Sequence, residues 1–226
     1  KSPAIVLNGA NLEVTSRRII WGKSLNAGQT CIAPDHLLVK EELFVSLVSN
    51  LKKSINDFYG NTPLSSKHLG SIINQSQFNR LNNLLKQAKH NGQIIYGGET
   101  NESERRISPT LIKIENRNDP LMQEELFGPL LPILRIKDLE EAISDFKSLP
   151  KPLALYLFGG KEKEQERMLT MTSSGGICFN DVVLQAGIPE LPFGGVGSSG
   201  MGKYHGKASF DNFTHYKSIL KRPFWL

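Results

Sequence analysis

At 226 residues, with 39% hydrophobic and 22% charged side chains, the chain has the composition of a globular protein able to build a sizeable core. Its longest apolar runs, such as Leu153 to Phe158, fall far short of the ~20 residues that cross a bilayer, so no membrane segment is predicted. The net charge of +5 comes from Lys and Arg interleaved with Glu and Asp, with no nucleic-acid-binding motif beside it, and a nucleic-acid partner is not expected.

The sequence opens on Lys1-Ser2-Pro3, without an initiator Met or a secretory leader, as a processed or excised piece would. Ala4 to Leu7 is extended, and Val14 to Ser24 has a helical pattern. Glu41 to Tyr59 is the clearest helix, with Leu43, Phe44, Leu47, Val48, Leu51, Ile55 and Phe58 at helical spacing and Gly60 as its stop. Ser76 to His90 follows as a second helix that meets Gly92. Strands fit Gln93 to Tyr96, Thr110 to Ile114 and Leu131 to Ile136. Asp138 caps a helix that runs to Lys147, Leu153 to Phe158 is a buried strand, Lys161 to Thr172 a helix, and Gly176 to Phe179 a short strand.

From Gly187 to Gly206 glycines are too dense for a regular element, and the segment is predicted as loop. His215 to Leu220 resembles a final strand that Pro223 ends. Strands separated by helices make this an α/β fold, with a mostly parallel sheet covered by helices on both faces. Residues 1–213 are expected to form one domain and 214–226 a C-terminal oligomerisation strand and tail.

Cys31 and Cys178 are too few and too far apart for a disulfide framework, which points to a reducing compartment, the cytoplasm by default. The histidines at 36, 68, 90, 205 and 215 show no metal-ligand spacing, so no metal site is predicted. Cys31 follows a Gly-containing bend, Asn26-Ala27-Gly28-Gln29-Thr30, whose small and polar neighbours leave room for a ligand. A free thiol already supplies some thiolate at neutral pH. Taken alone, Cys31 reads more readily as a small buried apolar residue than as a nucleophile. Cys178, in an apolar strand, reads as core. Glu124 and Glu125 alone would be a solvated acidic pair, and Phe127 a core residue.

Three segments change that balance. Asn26 to Pro34, extended by Asp35, resembles the active-site cysteine segment of aldehyde dehydrogenases, and of the class 3 or fatty-aldehyde type in particular. Glu124-Glu125-Leu126-Phe127-Gly128-Pro129 is similar to the family's cofactor-contacting motif, and Pro192 to Lys207 to the class 3 glycine-rich segment. The resemblance implies a catalytic domain in which Cys31 attacks an aldehyde substrate, forming a thiohemiacetal and then a thioester that water cleaves to a carboxylic acid. It also implies that Glu125 hydrogen-bonds the ribose next to the nicotinamide of NAD or NADP, and that Phe127 braces the nicotinamide ring. A homodimer is implied, with His215 to Leu220 adding to a neighbouring sheet. The choice between NAD and NADP is left open, as is the chain length of the aldehyde.

The family's general-base glutamate precedes a Gly-Gly-Lys-Ser-Pro segment, and this sequence begins within that segment, at Lys1-Ser2-Pro3. The isolated chain is therefore expected to turn over little aldehyde, since general-base catalysis is typically worth ~10² to 10⁴-fold. Two alternatives stand beside the oxidising enzyme: a non-catalytic fragment or interaction module that keeps the fold, and an enzyme that passes the acyl group to coenzyme A. Features at Ile32 to Asp35 and Gly194 to Gly206 weigh against the second.

Overall fold

In the computed structural model, which describes residues 1–225, the alternation of strands and helices follows the hydrophobic pattern closely. Strand β1 (Pro3–Val6) leads into α1 (Leu12–Ser24), and β2 (His36–Lys40) into α2 (Phe44–Tyr59). Helix α3 (Gln75–His90) is followed by β3 (Ile94–Tyr96), a hairpin of β4 (Thr100–Asn101) and β5 (Arg106–Ile107), and then β6 (Thr110–Ile114). The short α4 (Pro120–Gln123) precedes β7 (Leu130–Ile136). Then come α5 (Leu139–Ser148), β8 (Ala154–Phe158), α6 (Glu162–Met171), β9 (Gly176–Phe179) and α7 (Gly206–Asn212).

Local chemistry explains where the helices start. The orphan N–H groups of a first turn need acceptors, and short polar side chains supply them. Asn11 Oδ1 accepts from the Val14 N–H, Asn74 Oδ1 from Gln77, and Asp138 Oδ1 from Glu141. Helix α2 stops at Gly60, whose φ of 74° suits a residue without Cβ.

The main sheet has the order β3-β6-β7-β2-β1-β8-β9, parallel throughout except for the antiparallel edge pair of β3 with β6. Alternate residues of the inner strands go to opposite faces. Ala4, Val6, Leu37, Val39, Ile133 and Tyr156 pack with Ile19 and Ile20 of α1 and Leu47, Leu51 and Ile55 of α2. Ile5, Leu38, Ile112, Leu134 and Leu157 pack on the other face with Phe78, Leu81 and Leu85 of α3, Ile143 of α5 and Met168 of α6. Both faces are therefore covered by helices, as the sequence predicts.

The structure adds several elements to the sequence reading, among them the β4–β5 hairpin, α4 and α7. Strand β2 is an additional central strand, paired with both β1 and β7. The Gly187 to Gly206 stretch is a loop, as predicted, with one single turn just before it at Leu184–Gly187 and another within it at Gly197–Ser199, pinned by an antiparallel bridge of Phe193 with Tyr204. His215 to Leu220, expected to add to a neighbouring sheet, forms neither strand nor helix within this chain. A strand exists only by pairing, and this segment pairs with none of the described residues of the same chain. Among the described residues no helix is long and apolar enough to cross a membrane.

Candidate active site

Cys31 and the Glu125–Phe127 turn, some 95 positions apart, are brought to one place by strand pairing. The cysteine loop runs into β2 and the Phe127 turn runs into β7, and these strands are neighbours with Leu37 opposite Ile133. Both segments therefore sit at the amino edge of the sheet, whereas doubly wound sheets usually take ligands at the carboxyl edge. Cys31 itself is exposed, not core.

The loop that presents it is unusual. Asn26 (φ 51°), Ala27 (φ 55°) and Gly28 (φ 76°) are three successive residues in the left-handed region, which side-chain-bearing residues adopt uncommonly. Bonds around them hold this shape. Asn26 Nδ2 donates to the Gln29 carbonyl, and Gln29 Nε2 donates back to the Asn26 carbonyl. The Ala33 N–H donates to the Thr30 carbonyl, closing a turn with Cys31 at its corner. Ser2 Oγ donates to the Cys31 carbonyl at 3.1 Å, and the Tyr156 hydroxyl to the Ile32 carbonyl at 2.6 Å. That hydroxyl in turn accepts from the Val183 N–H and Gln185 Nε2, joining the cysteine loop to the turn after β9. The Cys31 N–H donates to no group among the described residues.

Two contacts lock this loop to the Phe127 turn. A Cβ placed on Gly28 would stand 2.3 Å from the Gly128 carbonyl oxygen, so glycine at 28 lets the two backbones meet, while a Cβ on Gly128 would run into the Leu81 side chain. Asp35 Oδ1 accepts from the Leu126 N–H at 2.8 Å, deep in the interior. The other Asp35 oxygen lies 2.5 Å from the Lys1 ammonium and 3.6 Å from the His36 ring. Lys1 also donates to the carbonyls of Leu121 and Glu124. Burial alone would raise the Asp35 carboxyl, but the His36 ring and the Lys1 and Lys23 ammonium groups outweigh it and hold it well below the usual carboxylate range. Burial also pushes the His36 imidazole down, and pulls Lys23 down to about 8 against the opposing pull of Asp35.

The two acidic neighbours have different fates. Glu124 pairs with Arg80 at 2.9 Å, and the Arg80 guanidinium also donates to the carbonyls of Glu125 and Leu126. The Glu125 carboxylate is exposed and pairs with nothing among the described residues. Phe127 has a positive φ of 50° and leaves its ring 39% exposed, where a core residue would be covered. An unengaged carboxylate and a bare ring are the groups that a ribose diol and a flat heterocycle require, so the residues present fit a nicotinamide nucleotide. Cys178 is half-buried in edge strand β9, and burial pushes its thiol up. His205 stacks in an aromatic cluster with Phe193 and Tyr204.

Reading the sequence missed the supports: Lys1, Lys23, Asp35 and Arg80, which hold the site without being its reactive groups. In the sequence, Asp35 stands out only as part of a motif. The available signal was a charged residue inside the apolar run from Ile32 to Val39, since a buried charge demands a partner.

Residues 1–219 match the sequence pattern of the aldehyde dehydrogenase family. The chain is 48% identical to the 4,4'-diaponeurosporen-aldehyde dehydrogenase of Staphylococcus aureus, over 97% of this chain and 48% of the relative. It is 46% identical to the dimeric, NADP-preferring aldehyde dehydrogenase of Rattus norvegicus, over 97% of this chain and 48% of that protein. To human aldehyde dehydrogenase family 3 member B1 it is 46% identical, over 98% of this chain and 47% of that protein. The solved structure of the substrate-bound state of Staphylococcus aureus AldH superposes with a TM-score of 0.92 at 45% identity, covering 99% of this chain and 49% of that one. The chain thus spans about half the length of these relatives. With the fold, the motifs and these relatives in agreement, the chain belongs to the aldehyde dehydrogenase family.

Proposed function

We propose that the protein oxidises an aldehyde to a carboxylic acid with NAD or NADP, with Cys31 as nucleophile and Glu125 and Phe127 holding the ribose and nicotinamide. One observation carries the reading: an exposed thiol on a left-handed loop is locked, through Gly28 against Gly128 and Asp35 to Leu126, onto a turn with a free carboxylate and a bare ring. The Rattus relative is named NADP-preferring and a 25% identical Sinorhizobium meliloti structure NAD-dependent, so both cofactors belong to the proposal.

In this reading the Cys31 thiolate adds to the carbonyl carbon while the carbonyl electron pair moves to oxygen, and the thiol proton has left for solvent. The uncommitted Cys31 N–H donates to the resulting oxyanion. When bound, the oxidised nicotinamide supplies the acceptor for the hydride that leaves the thiohemiacetal. A thioester remains on Cys31, and water cleaves it to release the acid and return the thiol. Glu125 accepts hydrogen bonds from sugar hydroxyls, and the Phe127 ring limits the swing of the heterocycle, because reacting atoms must be held about 3–3.5 Å apart.

The same proposal includes a cytoplasmic homodimer assembled through residues 214–226, with 1–213 as the catalytic domain. Assayed as the 226-residue chain, the protein is expected to show thiol reactivity at Cys31 with little turnover, because about half of each relative's length lies outside it. The test is aldehyde-dependent cofactor reduction by the full-length protein carrying Cys31→Ala. The rate should fall by about 10³-fold or more, and a rate close to the parent's would overturn the assignment.

A further inference from the structure

The segment Gly70 to Asn74 has no regular structure, yet its backbone is bonded on both sides as if it were a strand between two others. On one side stands the Gln29 side chain, two residues before Cys31. Gln29 Nε2 donates to the Ser71 carbonyl at 3.1 Å, and Gln29 Oε1 accepts from the Ile73 N–H at 2.8 Å. A primary amide thus pairs with a peptide strand as a neighbouring peptide unit would. On the other side both polar groups of Ile72 are taken by one residue. The Ile72 N–H donates to the Arg105 carbonyl at 2.8 Å, and Arg105 Nε donates to the Ile72 carbonyl at 3.2 Å. The Ile72 side chain is buried in the same core cluster as Ala27 of the cysteine loop.

Arg105 closes the β4–β5 hairpin. Its N–H donates to the Glu102 carbonyl, and its φ is 52°. Glycine is the residue that adopts this conformation freely, so an arginine here is held in an uncommon backbone state. Its guanidinium does what glycine cannot: it reaches the Ile72 carbonyl.

We propose that Arg105 is a positioning residue for Cys31, acting through the Ser71–Ile73 strap and the Gln29 amide. Gln29 is 9% exposed, and its amide also braces the Asn26 carbonyl at the left-handed corner. A strap that shifts therefore carries the corner and the thiol with it. The inference rests on the reading of Cys31 as nucleophile, because only then does the thiol's position set a rate.

The test compares Arg105→Gly, Arg105→Lys, Gln29→Ala and the Arg105→Gly/Gln29→Ala double variant. Arg105→Gly accepts the positive φ and keeps the carbonyl, so it folds while losing only the guanidinium bond. In the full-length protein it should lower kcat by about tenfold, with the KM for the cofactor unchanged, since a small misplacement of reacting groups is costly in rate. Arg105→Lys should restore part of the loss. The double variant should be no slower than Gln29→Ala alone, because the two residues act in series. In the 226-residue chain, hydrogen exchange of the Ile73 and Ala33 amides should quicken in Arg105→Gly while amides of α3 keep their protection.

An unchanged kcat, additive losses, or unaltered exchange at Ala33 would each overturn the proposal. Should Cys31→Ala retain aldehyde oxidation, the nucleophile reading fails instead. The exchange experiment would still decide whether Arg105 holds the loop.

Discussion

Residues up to Val182 and those after it obey different rules of burial. In the first region Ile5, Leu37, Leu51 and Phe78 are sealed between sheet and helices, and even the charged Lys23 and Asp35 are enclosed. In the second, Phe213 is 93% and Leu220 85% exposed, with Phe210, Tyr216 and Ile219 also facing solvent. Scattered exposed apolar residues are ordinary on any protein, but a run of large ones over a short terminal segment is not. The first region seals most of its large apolar side chains and leaves only scattered ones, such as Val45 and Ile73, in solvent, whereas the second buries none of its large apolar side chains fully.

The largest consequence of this contrast lies in the core. Phe78→Ala in α3 should destabilise the chain by about 3–5 kcal/mol through lost burial and a residual cavity. Denaturant titration checks it, and a loss under ~1 kcal/mol would mean that the region is not packed as described.

A smaller effect tests how dry the enclosed region is. Burial holds Lys23 at about 8 in the folded chain, against the ordinary 10.5. Between those two values the unfolded chain binds more protons than the folded one, so this group's contribution to stability rises with pH; below about 8 both states are protonated and its full penalty is present. Lys23→Met should therefore be more stable than the parent at neutral pH, by at most about 3 kcal/mol. The advantage should shrink as pH rises from about 8 to 10.5. A pH-independent gap between the two proteins would contradict a desolvated ammonium.

The smallest effect belongs to the exposed end. Phe213→Ser should change the stability of the dilute, monomeric chain by less than about 0.5 kcal/mol. If the tail serves assembly, the same change should lower the mass seen by light scattering at higher concentration. A large loss of monomer stability would erase the distinction between the two regions.

Most of the architecture was legible because apolar periodicity reports burial directly. Phe78, Leu81 and Leu85 mark α3, and the run from Leu153 to Phe158 marks a strand buried on both faces. Strand β2 was not read, because His36 to Val39 are all buried and show none of the alternation that marks a half-exposed strand. The tail has the composition of a strand, but a strand forms only by pairing, and the segment pairs with none of the described residues of its own chain. At the candidate site, Cys31, Glu125 and Phe127 were found through motifs, whereas Asp35, Lys23 and the Gln29–Ile73 strap were not. The bonds of Asp35 to Leu126 and of Gln29 to Ser71 of the strap span 91 and 42 positions, which no local pattern records.

The pairing of β2 with β7 also acts as a vernier. The thiol rides five positions ahead of His36, and the Phe127 ring three ahead of Leu130, so the offset between these two strands sets the spacing of the proposed nucleophile and the ring proposed to brace the nicotinamide. Slipping that offset by one residue would move one group past the other by ~3.3 Å and turn every buried side chain of the shifted strand to the wrong face. The hydrophobic core, by rejecting such a slip, proofreads the chemistry.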